Sequence, residues 1–480
     1  MAKFKWSDIL SDKRVKEYKV TRETYDARTD FENDYERILF SASFRRLQDK
    51  AQVFPLEKED FVRTRLTHSF EVSAIAKSLG RSIGNELIEK TKEYEDKVDL
   101  NMVNDICEVL SCAGLIHDLG NPPFGHFGET AIREWFEDKL LKNEDGSYTF
   151  NFEKHTFKLT EQEALDFMNF EGNAQVLRIL TKLHFIIDKN GMNLTSAVLN
   201  SIIKYPVSST NIDKSKISSK KLGYFASEKE IFKEITENTK LYSDRNPLVY
   251  VLEAADDIAY LLGDLEDAHN KNIVTYDVLY NRYKAFVEEN NFEERTIEES
   301  LLYYLKKNYE FARDEYGYGE PGEYAIKSFI IKLKRYLRDA AVEEFINSYD
   351  KIMNGVYNGE LLADSKASKV AMFLRKIISD YVHTNEDIIS REIVGYNMIH
   401  KMLDIFVPIV LEDEIKINKG YEGKIYSLIS SNYRLICEDS IKGGKQSKEY
   451  YKLLLVTDFI CGMTDSYALS TYKTLNGINI

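Results

Sequence analysis

The stretch VLSCAGLIHDLGNPPFGHFGE, residues 109–129, decides how this chain is read. Its first half reads as a buried helix, Val109 to Leu119, that stops at Gly120 with Pro122 and Pro123 just beyond. An adjacent His117 and Asp118 in the last turn of an otherwise apolar helix is costly unless both groups are satisfied. A cationic His117 capping the helix dipole would satisfy them, and so would a metal ion. A few residues on, His126 and Glu129 are spaced i, i+3 at the start of another helix, where they can touch. A carboxylate that holds an imidazole fixes its tautomer and raises its basicity, which suits a general acid/base. A first-turn cap for Glu129 and a plain loop position for His126 account for the pair equally well.

Outward from this stretch, two further helices carry polar residues on apolar faces. His68 lies at the start of a helix in RTRLTHSFEVSAIAKSL (63–79), whose inner face reads as Phe70, Ile75, Ala76 and Leu79. In YVLEAADDIAYLLGDLEDA (250–268), Asp256, Tyr260 and Asp264 recur every fourth residue, on one stripe about 80° wide. Asp256-Asp257 alone would pass for an exposed acidic pair. Two imidazoles and two carboxylates arriving from three apolar helices make an N/O ligand set that suits Mn, Mg, Fe or Zn and leaves positions open for water and phosphate. No thiolate takes part, which speaks against a structural zinc site.

The rest of the chain supports a helical enzyme. Apolar residues recur at three-and-four spacing over 68–89, 103–119, 161–188, 246–270, 274–292, 322–350, 366–382, 391–412 and 448–475. With 7 Pro and 23 Gly in 480 residues, the chain is poor in the turns that a sandwich or barrel needs. The exception is GSYTFNF (146–152), where alternation after an Asp-Gly turn predicts a short surface hairpin. The polar stretches 137–160 and 207–228 read as loops or insertions. The fold class is therefore all-α, and two regions are expected: a core over 1–300 and a helical C-terminal extension over 301–480.

A net charge of −14, from 65 basic and 79 acidic side chains, argues against a general nucleic-acid coat or a polybasic membrane binder but leaves room for a local basic pocket. The start, MAKFKWSDILSDKRVKEYKV, holds no apolar segment of signal length, and no membrane association is expected. Four scattered cysteines form no disulfide framework, so a reducing, cytoplasmic setting is expected.

The runs FRRLQDKAQVFPLE (44–57), VRTRLTHS (62–69), GLIHDLGNPPFGHFGE (114–129), FEGNAQ (170–175), EAADDIAY (253–260) and GMTDSYA (462–468) resemble those of the deoxyguanosine triphosphate triphosphohydrolases, within the HD-domain metal-dependent phosphohydrolases. The resemblance spans nearly the whole chain. It implies an HD-domain core in which His68, His117, Asp118 and Asp256 hold a divalent metal, Mn or Mg with Fe or Co as alternatives. It further implies that His126, oriented by Glu129, moves the proton while water attacks the α-phosphorus of a dNTP, releasing deoxynucleoside and inorganic triphosphate. Asn173, Lys204, Tyr205 and Lys221 match phosphate-contacting positions. Gln52 matches the position near the 3′-hydroxyl, Tyr260 and Asp264 look substrate-facing, and Tyr260 packed at C2′ would exclude a ribose. Val53 flanks the base, and Arg434 completes the pocket. Asp257, about 100° around the helix from Asp256, is expected to be structural. The resemblance also implies a homo-oligomer, commonly a hexamer, and single-stranded DNA as a type of effector. Another HD nucleotidase or phosphodiesterase, and a nucleic-acid-binding regulator with a residual nucleotide pocket, are the competing readings. Lys424, where Arg is expected, and extra sequence around 185–192 depart from the pattern.

Overall fold

Helix starts are written in the local chemistry. The Asp99 carboxylate accepts the Met102 N–H at 2.9 Å, which starts the helix Leu100–Ile116. Asn246 accepts the Leu248 N–H at 2.8 Å, and Pro247 occupies the first turn of the helix Pro247–Asn270. Together with Arg65–Lys90, these form the core of the molecule, and the computed structural model confirms an all-α chain with one small sheet. It describes residues 3–15, 26–57, 59–184, 191–290, 292, 296–315, 317, 319–413, 415, 417 and 419–478. Most of the extra stretch around 185–192 thus lies outside the described residues.

Small residues set how closely the first two helices approach. A Cβ on Gly114 would sit 2.5 Å from the Ser73 Cα, and the Ser73 hydroxyl donates to the Ser111 carbonyl at 2.9 Å. Gly80 repeats the close approach, a Cβ there meeting Leu110 at 2.7 Å. This contact brings His68 and His117 face to edge, with ring centroids 5.5 Å apart. The inner face of Arg65–Lys90 carries Val72, Ile75, Ala76, Leu79 and Ile83; the expected Phe70 is 43% exposed and does not belong to it. The helix before His117 ends at Ile116 rather than Leu119, because the chain tightens into a turn in which the Leu119 N–H reaches the Ile116 carbonyl.

Two apolar clusters form the core. One surrounds Pro247–Asn270 and runs from Phe4 to Ile388. The other gathers Gly125–Glu137, Glu386–Leu411 and Lys448–Cys461. By length and composition Glu386–Leu411 is apolar enough to cross a membrane, but half of its most apolar window is buried in the molecule, as in a core helix.

The expected surface hairpin is larger than the alternation showed. Strands β1 (Leu140–Lys142), β2 (Tyr148–Phe152) and β3 (His155–Leu159) form an antiparallel sheet in that order. Phe150 is fully buried, and Phe152 meets the Trp135 ring edge-on at 5.1 Å, so one face of the sheet belongs to the second cluster. The periodic segment 366–382 widens at Ile378 without a break, and the segments 161–188 and 448–475 are each interrupted. In the last, Lys448–Cys461 and Asp465–Leu475 are separated at Gly462–Thr464, where Thr464 caps the second helix by accepting the Tyr467 N–H at 3.2 Å.

Candidate active site

His117, Asp118, His68 and Asp256 arrive from the three core helices. The His117 Nδ1–H donates to the Gly114 carbonyl at 2.8 Å, which leaves the Nε2 lone pair free. That Nε2 is buried with no hydrogen-bond partner and lies 3.4 Å from Asp256 Oδ1 and 3.7 Å from Asp118 Oδ1. His68 Nε2 lies 3.1 Å from the same Asp256 oxygen. Ligand atoms of His68, His117 and Asp118 fall within 4.8 Å of one another. The imidazoles are buried, whereas the two carboxylates open to solvent. An orphaned imidazole nitrogen facing two carboxylates is the donor set of a hard-to-borderline divalent ion, so the residues present fit the metal that the sequence implied.

Cations border this cluster. Arg65 is ion-paired with Asp118, whose other oxygen accepts from the Asn121 amide at 2.6 Å. Lys204 Nζ lies 3.2 Å from Asp256 Oδ2. Burial opposes ionisation of both carboxylates. Arg65, His117 and His68 nevertheless hold Asp118 low, and His117 and Lys204 hold Asp256 well below the usual carboxylate range. Burial likewise works against a charged His117, but the two carboxylates outweigh it and raise its pKa.

The second pair sits across a strained corner. Phe124 has φ +64° and Gly125 +58°, and a Cβ on Gly125 would lie 2.7 Å from the Arg65 guanidinium. From this corner Gly125–Glu137 begins, and His126 Nδ1 meets Glu129 Oε2 at 3.1 Å. The other Glu129 oxygen accepts the Gly172 N–H at 2.8 Å, so the carboxylate is fixed from both sides. The imidazole is 81% exposed and projects into the cavity. The hydrogen bond that His126 donates to Glu129 raises the His126 pKa, and the same bond lowers that of Glu129 against its burial.

A cavity of about 610 Å³ joins these groups. Asp118, Asp256, His126 and Glu129 line it with Arg65, Asn173, Lys204, Tyr205, Lys221, Gln52, Val53 and Tyr260. Most of the sequence-predicted site is thereby brought together, with His68 and His117 behind the carboxylates. Two other predicted residues lie outside the cavity. Asp264 lies one turn beyond Tyr260 but is 1% exposed and does not line the cavity: the helix has already entered the protein at the level of Arg63, and burial pushes this carboxyl well up. Arg434 is also outside the cavity, with its guanidinium 5.3 Å from the Tyr426 ring on the helix Ser431–Gly443, whose inward residues pack into the second cluster. Asp257 pairs with Arg375 at 2.7 Å, as a structural residue would, yet it also borders the cavity, and burial raises its pKa to about 6.

Residues 65–195 match the HD domain family. The chain is 43% identical to a deoxyguanosinetriphosphate triphosphohydrolase-like protein of Listeria innocua, over 99% of this chain and the whole of that protein. It is 32% identical to the deoxyguanosinetriphosphate triphosphohydrolase of Cronobacter sakazakii, covering 93% of this chain and 94% of the relative. The chain belongs to the deoxyguanosinetriphosphate triphosphohydrolase family. It is accordingly a metal-dependent hydrolase, and its His68, His117 and Asp118 are grouped as such a metal site requires.

Several lining residues of this family member escaped sequence reading. Arg65 stands three residues before His68, on the same helical face, and Asn121 three after Asp118; both spacings were visible. Glu171, inside FEGNAQ, is buried and accepts from Asn173 and Lys221, each at 2.9 Å. His383 and Glu392 bring the Glu386–Leu411 region to the cavity beside Ile388. A wide turn, in which the His383 N–H bonds the Ile378 carbonyl, precedes His383. Neither residue had a signal, since a histidine in a turn and a polar side chain on an amphipathic helix are both ordinary.

Proposed function

We propose that the protein hydrolyses deoxynucleoside triphosphates, dGTP foremost, to the deoxynucleoside and inorganic triphosphate. The carrying observation is that the His126–Glu129 pair and the carboxylates of the HD cluster face one cavity that also holds Lys204, Lys221 and Arg65. A divalent metal, Mn or Mg, held by His68, His117, Asp118 and Asp256 would supply positive charge at the α-phosphate and lower the pKa of a water there. His126 exposes Nε2 to the reacting centre while Glu129 holds Nδ1–H, so the imidazole transfers the proton at the water or at the 5′-oxygen. Lys204 and Lys221 offset the phosphate charge, and Tyr205 and Asn173 orient the chain of phosphates.

Tyr260, half-buried beside Asp256, supports rejection of ribose, because an aromatic ring against C2′ leaves a 2′-hydroxyl neither room nor partner. Gln52, which lines the cavity, would contact the 3′-hydroxyl. Val53, Ile388 and Glu392 support guanine: a partly buried carboxylate at the cavity can accept from N1–H and the exocyclic amine, which adenine and the pyrimidines do not offer together. His383, Ile388 and Glu392 also support a C-terminal extension, from about residue 301, that completes the pocket of a core over 1–300. A cytoplasmic homo-oligomer, hexameric and responsive to single-stranded DNA, belongs to the same reading. Light scattering and salt-dependent DNA binding read those two features.

The deciding experiment incubates the purified protein with each dNTP and each of Mn, Mg, Fe and Co and identifies the products. Intact triphosphate with deoxyguanosine as the best product is expected. Triphosphate from no combination would overturn the reading.

A further inference from the structure

The GMTDSYA run has no part in the chemistry above, and Asp465 within it does not line the cavity, yet its carboxylate is 2% exposed and fully used. One oxygen accepts the Ala51 N–H at 2.9 Å, and the other accepts the Phe124 N–H at 3.1 Å. These amides belong to the two segments that must agree for turnover. Ala51 precedes Gln52, and Phe124 is the left-handed residue two before His126.

Lys50 completes the corner from the opposite charge. It is 2% exposed, and its ammonium donates to the Asn121 carbonyl at 2.6 Å and the Cys461 carbonyl at 2.7 Å. Asn121 in turn holds Asp118, and the Lys50 carbonyl accepts the Arg65 N–H at 2.9 Å. On the outer side, the Ser466 hydroxyl donates to Asp49 at 2.9 Å. Three segments far apart in sequence are thus joined by one buried carboxylate and one buried ammonium.

We propose that Asp465 is a positioning residue that sets the Gln52 segment against the His126 corner, so that sugar contact and proton transfer occur in one geometry. The demand is for a carboxylate. Two buried N–H donors converge on it, and an amide in its place would offer one of them a second N–H. The catalytic consequence rests on the function proposed above; the coupling of the two segments does not.

The test uses full-length Asp465→Asn. Its kcat for dGTP is expected to fall about 10- to 100-fold, as for a displacement of reacting groups by about 1 Å, with a raised KM. Its preference for dGTP over 2′,3′-dideoxy-GTP should drop toward one. Hydrogen exchange without substrate should rise together in peptides covering 51–54 and 124–127. Loss of activity only in proportion to the folded fraction, with sugar preference kept and the two peptides unchanged or moving separately, would overturn the proposal. Should the variant not fold, native-state exchange of the wild-type protein across denaturant decides: one shared opening of Ala51 and Phe124 supports the coupling, and independent openings refute it. A wild-type protein that does not distinguish the two nucleotides would remove the sugar role of Gln52, and the exchange result would then decide alone.

Discussion

Arg178 and His117 are equally buried, and each lies among carboxylates, but their surroundings differ. The Arg178 guanidinium donates to Asp458 at 2.7 and 2.6 Å and to Glu228 at 2.9 Å, and Lys182 and Ser227 take up the rest of Glu228. Every charge there is met by a fixed partner. Around His117 the accounting stays open: its Nε2 has no hydrogen-bond partner, the Arg65 Nε has none, and Asp118 and Asp256 face a cavity. A closed network of this kind locks two elements together. An open one, held in place by groups such as Asn121 and Lys204, leaves donors and acceptors available beside the cavity. Burial and charge alone therefore do not mark a functional site; unfilled valence next to open space does.

The sharpest break between the two regions comes from paired substitutions. Asp118→Asn should lower turnover by about a thousandfold or more if, as proposed, it removes a ligand of a metal that activates water. Arg178→Met should leave turnover per folded molecule within about threefold but lower stability by about 3–5 kcal/mol, as expected when a buried charge loses its partner. Steady-state kinetics and denaturant titration read the two effects. An activity loss in the Arg178 variant beyond its folded fraction would erase the distinction.

Within the open region, His126→Ala should reduce kcat by about 10²- to 10⁴-fold. Glu129→Gln should cost less, and it should move the limb of the pH–rate profile that reports His126 to lower pH, since the Glu129 hydrogen bond is what raises that pKa. A limb that stays in place would deny Glu129 its tuning role. Tyr260→Ala should raise the GTP-to-dGTP ratio of kcat/KM by about 10- to 100-fold, the scale on which steric rejection operates. Unchanged discrimination would remove Tyr260 as the sugar gate.

The smallest expected effect is in the closed region. Burial opposes ionisation of Glu228, but Lys182 and Arg178 hold its pKa below the usual glutamate value. Its contribution to stability is therefore fully present above the unfolded value and is lost as pH falls through and below about 4.5. Thermal melts from pH 6 down to 3 should show this acid loss, and Glu228→Gln, though less stable at neutral pH, should show a shallower one. An equally steep decline in the variant would assign the acid sensitivity elsewhere.

Much of the open region was legible because its residues are out of place where they stand. A histidine and an aspartate in an apolar helix end, and Asp256, Tyr260 and Asp264 at every fourth residue of an apolar helix, need a reason at the level of sequence, and the long motifs name the family that supplies one. Glu392 and His383 need none, as the polar side of an amphipathic helix looks the same whether it meets solvent or a nucleotide. Asp264 lies outside the cavity: angular period placed it on the stripe of Asp256 and Tyr260 but could not say where along the axis the cavity ends. The short alternating run at 146–152 revealed one strand pair, while β1 is only three residues long and shows its role through pairing with β2.

Helical class, the candidate ligands His68, His117, Asp118 and Asp256, and the candidate His126–Glu129 pair are legible in the sequence, from local period, the cost of buried polarity and the long family motifs. Only the tertiary structure decides which acidic residues face the cavity and which are held in buried networks. It joins Asp465 to Ala51 and Phe124 and brings the Glu386–Leu411 helix to the cavity. Those outcomes depend on contacts between residues hundreds of positions apart, set by how closely Gly114 lets two helices approach and where each helix leaves the cavity.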